Sequence, residues 1–164
     1  MPALWDERLT QLHVRLVPAD CSEPCWRLKA AWITVNGDWD DVPGWALAWR
    51  RDTLGGDHHV FGRAEQANGA AIMSASFELS WPDGADRRSP ESDGWANMPI
   101  YAGFDWSQTE GPYGWAHVGN GDRLQGVGLP YPPLPWETAQ SGLAGPSGGM
   151  HVSYFGVWER AGGE

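Results

Sequence analysis

Turn-forming residues divide this chain into short segments and constrain its fold more than any other feature. Of its 164 residues, 22 are glycine and 13 are proline, without the regular period of a collagen-like or low-complexity chain. Three Asn-Gly pairs, at residues 36–37, 68–69 and 120–121, follow segments in which apolar and polar residues alternate. Asn-Gly between alternating segments is the strongest short-range signal for a β-hairpin. The chain is therefore predicted to be all β.

The alternation predicts eight strands and a weaker ninth. The eight are residues 12–17, 26–35, 45–50, 58–63, 71–81, 99–106, 113–118 and 150–158, and the ninth is residues 124–127. In the second strand, Trp26, Leu28 and Ala30 are expected on one face, which Trp32 and Thr34 continue. Short strands joined by Gly- and Pro-rich turns favour a two-layer antiparallel β-sandwich, Ig-like or jelly-roll-like, over the alternative of a barrel.

A chain of this length supports one sizeable core, so residues 1–164 are interpreted as a single domain. Residues 1–11 are expected to form an N-terminal arm with at most a short helix. Two long connections, residues 82–98 and 130–149, separate the predicted strands, and the second is dominated by Pro, Gly and Ser. Connections of that length usually carry function or are disordered.

The formal net charge of −10, from 21 Asp and Glu against 11 Lys and Arg, excludes nucleic acid and an anionic membrane as expected partners. The first residues lack the basic start and the apolar run of a secretory signal, and no run of about 18 apolar residues predicts a membrane span. We expect an extracellular, cell-surface or virion protein. It would be a processed fragment, a protein exported by another route, or one released by lysis.

Two cysteines, Cys21 and Cys25, lie in one short segment that contains a proline. Three residues separate them, so a disulfide that closes a small loop is predicted. Zinc is an alternative, but it needs two further ligands, and the five histidines show no recognised Cys/His spacing. Two unpaired thiols are the remaining possibility.

No catalytic motif lies in a setting that supports it. Ser147 belongs to a G-x-S-x-G pattern, a nucleophile motif that needs a sharp turn between a strand and a helix. Here a Pro- and Gly-rich segment precedes the serine and a strand pattern follows it. Four acids near aromatic residues, Asp93, Asp105, Glu110 and Asp122, define no cleft for glycoside hydrolysis. The protein is therefore predicted not to be an enzyme.

An acidic segment offers a candidate calcium site. Asp38, Asp40 and Asp41 place three carboxylates directly after the first Asn-Gly turn, and Ca²⁺ prefers oxygen ligands. The segment matches no defined calcium-binding loop. The alternative is an acidic turn that keeps a strand end hydrated.

Twelve tryptophans require an explanation of their own, because an indole is either a large core side chain or a flat, partly hydrated surface. The aromatic residues inside alternating segments are assigned to the core: Trp26, Trp32, Trp45, Trp49, Phe77, Trp81, Tyr154 and Trp158. Those in or beside loops rich in Gly, Pro and acids are candidates for a glycan-binding surface or an interface: Trp39, Trp95, Trp106, Tyr113, Trp115, Tyr131 and Trp136. Exposed rings stack on sugar rings, and residues 94–115 also supply carboxylates and amides for the sugar hydroxyls.

Six short segments resemble a known type of domain. They are residues 26–32, 55–61, 81–84, 96–101, 126–130 and 151–158. Together they are similar to an uncharacterised β-sandwich accessory domain found beside peptidoglycan-active or glycan-active enzymes in Chloroflexi-type bacteria and their phages. The resemblance implies a β-sandwich and a glycan-related role. The extra tryptophans and the insertion at residues 130–149 depart from that pattern.

These observations predict a non-catalytic module that binds a polysaccharide or cell-wall glycan through loop aromatics. The alternative function is a structural or decoration protein of a virion or surface assembly, in which the same aromatics contact other subunits. The two functions differ in whether Trp95, Trp106, Trp115 and Trp136 face solvent or are covered by neighbouring subunits.

Overall fold

Two β-sheets account for most of the computed structural model over the residues that it describes. Those residues are 4–19, 25–35, 37–51, 59–81, 84–100, 114–119, 121–127 and 152–161. Each sheet has five strands. The prediction of a β-rich chain is therefore confirmed.

The first sheet is mixed. Its strands, in order across the sheet, are β1 (Leu4–Trp5), β3 (Cys25–Val35), β10 (Val152–Ala161), β4 (His59–Glu65) and β7 (Trp95–Pro99). β10 is antiparallel to β3 and parallel to β4, and β1 is parallel to β3. The predicted purely antiparallel arrangement is wrong for this sheet. Since β3 and β4 run in opposite directions, a strand inserted between them must be parallel to one of the two.

The second sheet is antiparallel throughout. Its strands, in order, are β2 (Arg15–Val17), β9 (Arg123–Gln125), β8 (Trp115–Val118), β5 (Phe77–Trp81) and β6 (Gly84–Arg88). Strands β2 and β6 form its two edges.

A β-bulge in β3 changes which of its residues share a face. The pairing of β10 with β3 skips Lys29, and one extra residue reverses the alternation of a strand. Trp26 and Leu28 therefore pack in one core cluster, whereas Ala30 and Trp32 pack in another. The prediction that these four residues share a face is wrong, because it assumed an unbroken strand.

One core cluster takes side chains from both sheets. Phe77 of β5 lies against Gly62 of β4, where an added Cβ would come within 2.6 Å of the Phe77 ring. The rings of Phe77 and Trp158 of β10 are 6.1 Å apart between centroids. Of the aromatic residues predicted for the core, Trp32, Phe77, Tyr154 and Trp158 are fully buried, and Trp26, Trp45, Trp49 and Trp81 are partly buried against the two clusters.

Two short helices lie beside the first sheet. Helix α1 (Glu7–Gln11) begins after Asp6, whose carboxylate accepts a hydrogen bond from the Arg8 backbone at 3.0 Å and caps the helix. The second is a 3-10 helix at Gly44–Trp49, where the sequence predicted a strand over residues 45–50. That prediction is wrong: Trp45 and Trp49 are four residues apart, and both pack against one cluster from a short helix.

The connection predicted over residues 82–98 contains two strands. Strand β6 lies at a sheet edge, where its charged residues reach solvent, and β7 continues the first sheet. The loop prediction is therefore wrong for most of this segment, because it relied on polar composition. The strand predicted over residues 71–81 covers only Phe77–Trp81. The connection at 130–149 lies outside the described residues.

Candidate functional site

Two settings of the described tryptophans bear on a candidate site, and the larger one is a buried cluster around Trp32. We call it the Trp32 cluster: Trp32, Trp39, Trp45, Trp49, Phe61, Trp95 and Phe155. Four other tryptophans pack in or against the core cluster between the sheets: Trp5, Trp26, Trp81 and Trp158. The ring of Trp32 stacks on Phe155 at 5.1 Å and on Trp49 at 5.6 Å between centroids. Residues 37–51, which include the 3-10 helix, bring three of these indoles over the face of the first sheet. The cluster is therefore part of the core.

Trp39 and Trp95 were predicted as part of an exposed surface, and the structure buries both. Trp39 is 5% exposed and Trp95 is 3% exposed. Trp39 lies in the segment that folds back over the sheet, and Trp95 begins β7 with its ring edge-on to Trp32. The expectation that these two rings face solvent is wrong, since proximity to glycine and acids in sequence does not establish exposure.

A buried carboxylate holds the edge of the Trp32 cluster. Glu65 is 2% exposed and accepts hydrogen bonds from Lys29 Nζ at 2.9 Å, Arg63 Nε at 2.7 Å and Trp49 Nε1 at 2.8 Å. Burial raises the pKa of this carboxyl, but the hydrogen bonds from Lys29, Arg63 and Trp49 outweigh burial and hold the pKa below its ordinary value. This network is structural, because its donors and acceptor satisfy one another.

A cleft of about 440 Å³ lies beside this network and is lined by Ala48, Trp49, Arg50, Arg51, Arg63, Asp93 and Trp95. One of its three arginines, Arg51, forms an ion pair with Asp93: Arg51 Nε and Nη2 both donate to Asp93 Oδ2, at 3.0 and 2.8 Å. Burial raises the pKa of Asp93, but its bonds with the Trp95 backbone N–H and with Arg51 outweigh burial, and the pKa lies below its ordinary value. This pairing links the segment after the 3-10 helix to the turn before β7.

The second setting is a groove on the second sheet, and here a predicted tryptophan is accessible. The groove has a volume of about 450 Å³ and is lined by Arg15, Leu16, Val17, Pro18, Trp115, Arg123 and Gln125. We call it the Trp115 groove. Trp115 is partly exposed at the start of β8. Two strands, β2 and β9, supply most of the other lining residues, and strand pairing on both sides holds the backbone that carries the indole.

Polar side chains form a row with Trp115 across the second sheet. In the strand pairing, Trp115 lies opposite Ser80 of β5 on one side and Gln125 of β9 on the other, and Gln125 lies opposite Arg15 of β2. Arg15 Nε donates to Gln125 Oε1 at 2.7 Å. Residues that lie opposite one another across paired strands share a face. An indole, an amide, a hydroxyl and a guanidinium therefore lie in one line.

The next row on the same face is also polar. His117, two residues after Trp115, has Nε2 at 3.0 Å from Glu78 Oε1, and Glu78 also accepts a bond from Arg87 Nε at 3.2 Å. Arg123 lies opposite His117 in the strand pairing. The residues between these, such as Ala116 and Leu124, are fully buried in the core. Successive residues of these strands therefore point to opposite faces of the sheet, one of them polar and the other apolar.

The sequence identified Trp115 but missed the residues around it. Arg15 and Gln125 lie inside the predicted strands 12–17 and 124–127, next to the apolar residues Leu16 and Leu124, whereas Arg123 lies just before the second of these strands. The local pattern of apolar and polar residues does not show which strands pair with each other in the sheet. The pairing of β2 with β9, about a hundred residues apart in the chain, brings these side chains to Trp115.

Several predicted residues lie outside the described part of the chain: Trp106, Tyr113, Tyr131, Trp136, Cys21, Asp105, Glu110 and Ser147. The disulfide between Cys21 and Cys25, and the interpretation of Ser147 as a loop serine rather than a nucleophile, therefore stay predictions. Two acids weighed for hydrolysis have structural partners. Asp93 pairs with Arg51, and Asp122 accepts bonds from the backbone N–H groups of Ala19 and Leu28 at 2.9 and 2.8 Å.

The calcium prediction at Asp38, Asp40 and Asp41 receives no support. Asp38 Oδ1 accepts a bond from the Asp40 backbone at 2.8 Å, as in an Asx turn. Within the described ranges, no three His, Cys, Asp or Glu side chains group as metal ligands do.

Comparison with known proteins gives no match to a protein-family model, a curated protein or a solved structure. The resemblance to accessory domains of glycan-active enzymes therefore stays a prediction. None of the helices in the described ranges combines the length and the apolar character needed to cross a membrane.

Proposed function

We propose that the protein is a non-catalytic glycan-binding module and that the Trp115 groove is its binding site. The observation that carries the proposal is the row formed by Ser80, Trp115, Gln125 and Arg15 across one sheet face. A partly exposed indole offers a flat apolar surface to one face of a pyranose ring. The hydroxyl, the amide and the guanidinium beside it offer hydrogen-bond partners to the sugar hydroxyls.

The support of the groove by strands favours a binding role. Trp115 is fixed at the start of a central strand of its sheet, with paired neighbours on both sides. A side chain held in this way loses little freedom when a ligand binds, which reduces the entropy cost of association. A sheet face also suits an extended polymer, since consecutive sugars can follow the row of side chains.

The proposal includes the packing of the two sheets as the layers of a β-sandwich, Ig-like or jelly-roll-like. Contacts such as that between Phe77 and Gly62 support it, as does the core cluster that draws on both sheets. In such a sandwich, the Trp115 groove lies on the outer face of the second layer. It is then accessible to a long chain from either end.

A structural role in an assembly has less support. A stable interface needs an apolar centre that becomes buried on association. In the part of the chain that the structure describes, Leu47 and Met73 are the large apolar side chains that are exposed. Two such residues supply little of an apolar centre, whereas the Trp115 groove combines polar and aromatic groups as glycan sites do.

The test is the variant Trp115→Ala, compared with wild type in native gels that contain soluble polysaccharides and in pull-down with insoluble cell walls. We expect the affinity to fall by about 1 kcal/mol, or roughly fivefold, because one stacking contact is lost. The thermal midpoint should change little, since Trp115 is partly exposed.

Arg87→Ala is the matched control, because Arg87 is exposed on the same sheet but lies at its far edge, on β6. It should bind glycans as wild type does. If wild type binds no glycan of a broad panel, or if Trp115→Ala binds as tightly as wild type, this site is not a glycan site.

A further inference from the structure

The Trp115 groove has a charge opposite to that of the whole protein. The chain carries 21 acidic against 11 basic residues, yet the described lining of this groove contains two arginines, Arg15 and Arg123, and no Asp or Glu. Both arginines are exposed on the surface of the second sheet. The local excess of positive charge therefore needs an explanation that the overall composition does not give.

Arg15 and Arg123 also have no acidic partner among the described residues, unlike half of the described arginines. Elsewhere, Arg8, Arg51, Arg63, Arg87 and Arg88 each lie within 4 Å of a carboxylate. Among the described residues, neither Arg15 nor Arg123 forms an ion pair. In an acidic protein, two unneutralised guanidinium groups in one groove are available to an anionic ligand.

We infer that the Trp115 groove recognises an anionic glycan, one whose sugars carry carboxylate or phosphate groups. This inference rests on the proposed glycan-binding function and adds the charge of the ligand. A guanidinium presents a planar set of N–H donors that matches the oxygens of a carboxylate or phosphate in pairs. Trp115 stacks on the sugar ring, and the two arginines, which both lie on the β9 side of the indole, bind its anionic group.

The geometry provides two anchoring points of different kind. Arg15 is oriented by its hydrogen bond from Nε to Gln125 Oε1, which leaves its two terminal nitrogens for a ligand. Arg123 lies on the neighbouring strand β9, two residues before Gln125. The groove thus places one cation near each of two consecutive rows, a spacing along the strand of about 7 Å.

The net charge of the protein does not oppose this binding at close range. At physiological ionic strength the Debye length is about 8 Å, so distant acidic residues are largely screened. Direct contacts in the groove are screened less. Binding should therefore weaken as salt is added, while binding of a neutral glycan should not.

The experiment compares polygalacturonate, alginate and a polyglycerol-phosphate teichoic acid with the carboxyl-reduced, neutral forms of the first two. Affinity is measured by native affinity electrophoresis and by calorimetry, at low and at physiological salt. We expect wild type to bind at least one anionic polymer, and to bind it at least tenfold more tightly than a neutral form. The polyuronate and teichoic acid arms distinguish carboxylate from phosphate as the recognised group.

The variants are Arg15→Gln and Arg123→Gln, with Arg27→Gln as the control because Arg27 is an exposed arginine on β3 of the other sheet. Each groove variant should weaken binding of the anionic polymer about tenfold, the loss expected for a charge-assisted hydrogen bond, and leave neutral binding unchanged. Arg27→Gln should change neither.

Two other results have different meanings. Equal binding of anionic and neutral forms, with loss of both in Trp115→Ala, overturns the preference for charge and leaves the proposed function standing. Absence of binding to every anionic and neutral glycan overturns both. If Arg27→Gln weakens anionic binding as much as the groove variants do, the attraction is a general charge effect and the inference fails.

Discussion

At the scale of single residues, the informative features are carboxylates whose hydrogen-bond partners could not be predicted from the sequence. Asp6, Glu65 and Asp122 look like ordinary surface acids in sequence, yet each accepts at least one hydrogen bond from a distant part of the chain. Their partners are brought by long-range strand pairing, which local pattern does not encode. By contrast, Trp32 and Trp158 lie inside largely apolar segments, and their burial was predicted from the sequence.

Glu65 leads to a prediction about pH and stability. Its pKa is lowered in the folded state, so its contribution to stability is complete above the unfolded pKa of about 4.3 and is lost as pH falls through the lower folded pKa. We expect Glu65→Gln to reduce the free energy of unfolding at pH 7 by about 2 kcal/mol or more, because Lys29 and Arg63 lose their common partner. Urea unfolding at pH 7, 5, 4 and 3 measures the difference between the two proteins.

That difference should shrink between pH 5 and pH 3, as the wild-type carboxyl takes up a proton. Glu91→Gln is the control, since Glu91 is exposed and lies 3.8 Å from Arg51. It should cost little at any of these pH values. A wild-type advantage over Glu65→Gln that stays constant down to pH 3 would show that the lowered pKa is not the cause.

At the scale of elements, the sequence predicted the strands that are rich in apolar residues. It missed an edge strand and a helix whose structure depends on packing against other elements. Strands β3, β4 and β10 lie within a few residues of their predicted positions. Strand β6 was missed, because a charged edge strand has the composition of a loop. The 3-10 helix was missed because tertiary packing of Trp45 and Trp49 overrides their β propensity.

The contact between β4 and β5 gives a second prediction. In Gly62→Ala, the new Cβ would lie 2.6 and 2.8 Å from two carbons of the Phe77 ring, which is fully buried. We expect a loss of about 1–3 kcal/mol in the free energy of unfolding, the usual cost of overpacking a core. Gly44→Ala is the control, because no atom lies within 4 Å of a Cβ at that position. If the two variants are equally stable in urea, the sheets are not in close contact at Gly62.

At the scale of the whole molecule, the last described strand completes the first sheet. β10 lies between β3 and β4 and pairs with both over most of its length. Residues 152–158 are all buried, and Tyr154 and Trp158 are among the largest side chains of the core. Its position could not be predicted from the sequence, since the alternation of residues 150–158 indicates a strand but not the two partners between which it lies.

The central position of β10 predicts that the first sheet is not stable without it. A chain that ends at residue 151 loses the strand that joins β3 to β4, together with its buried aromatic side chains. We expect this chain to show no cooperative thermal unfolding, as followed by circular dichroism and tryptophan fluorescence, because removal of several large core side chains exceeds the usual stability of a domain. A chain that ends at Ala161 is the control and should unfold cooperatively. Cooperative unfolding of the shorter chain would mean that β3 and β4 are held together by other contacts and that the order of the first sheet is different.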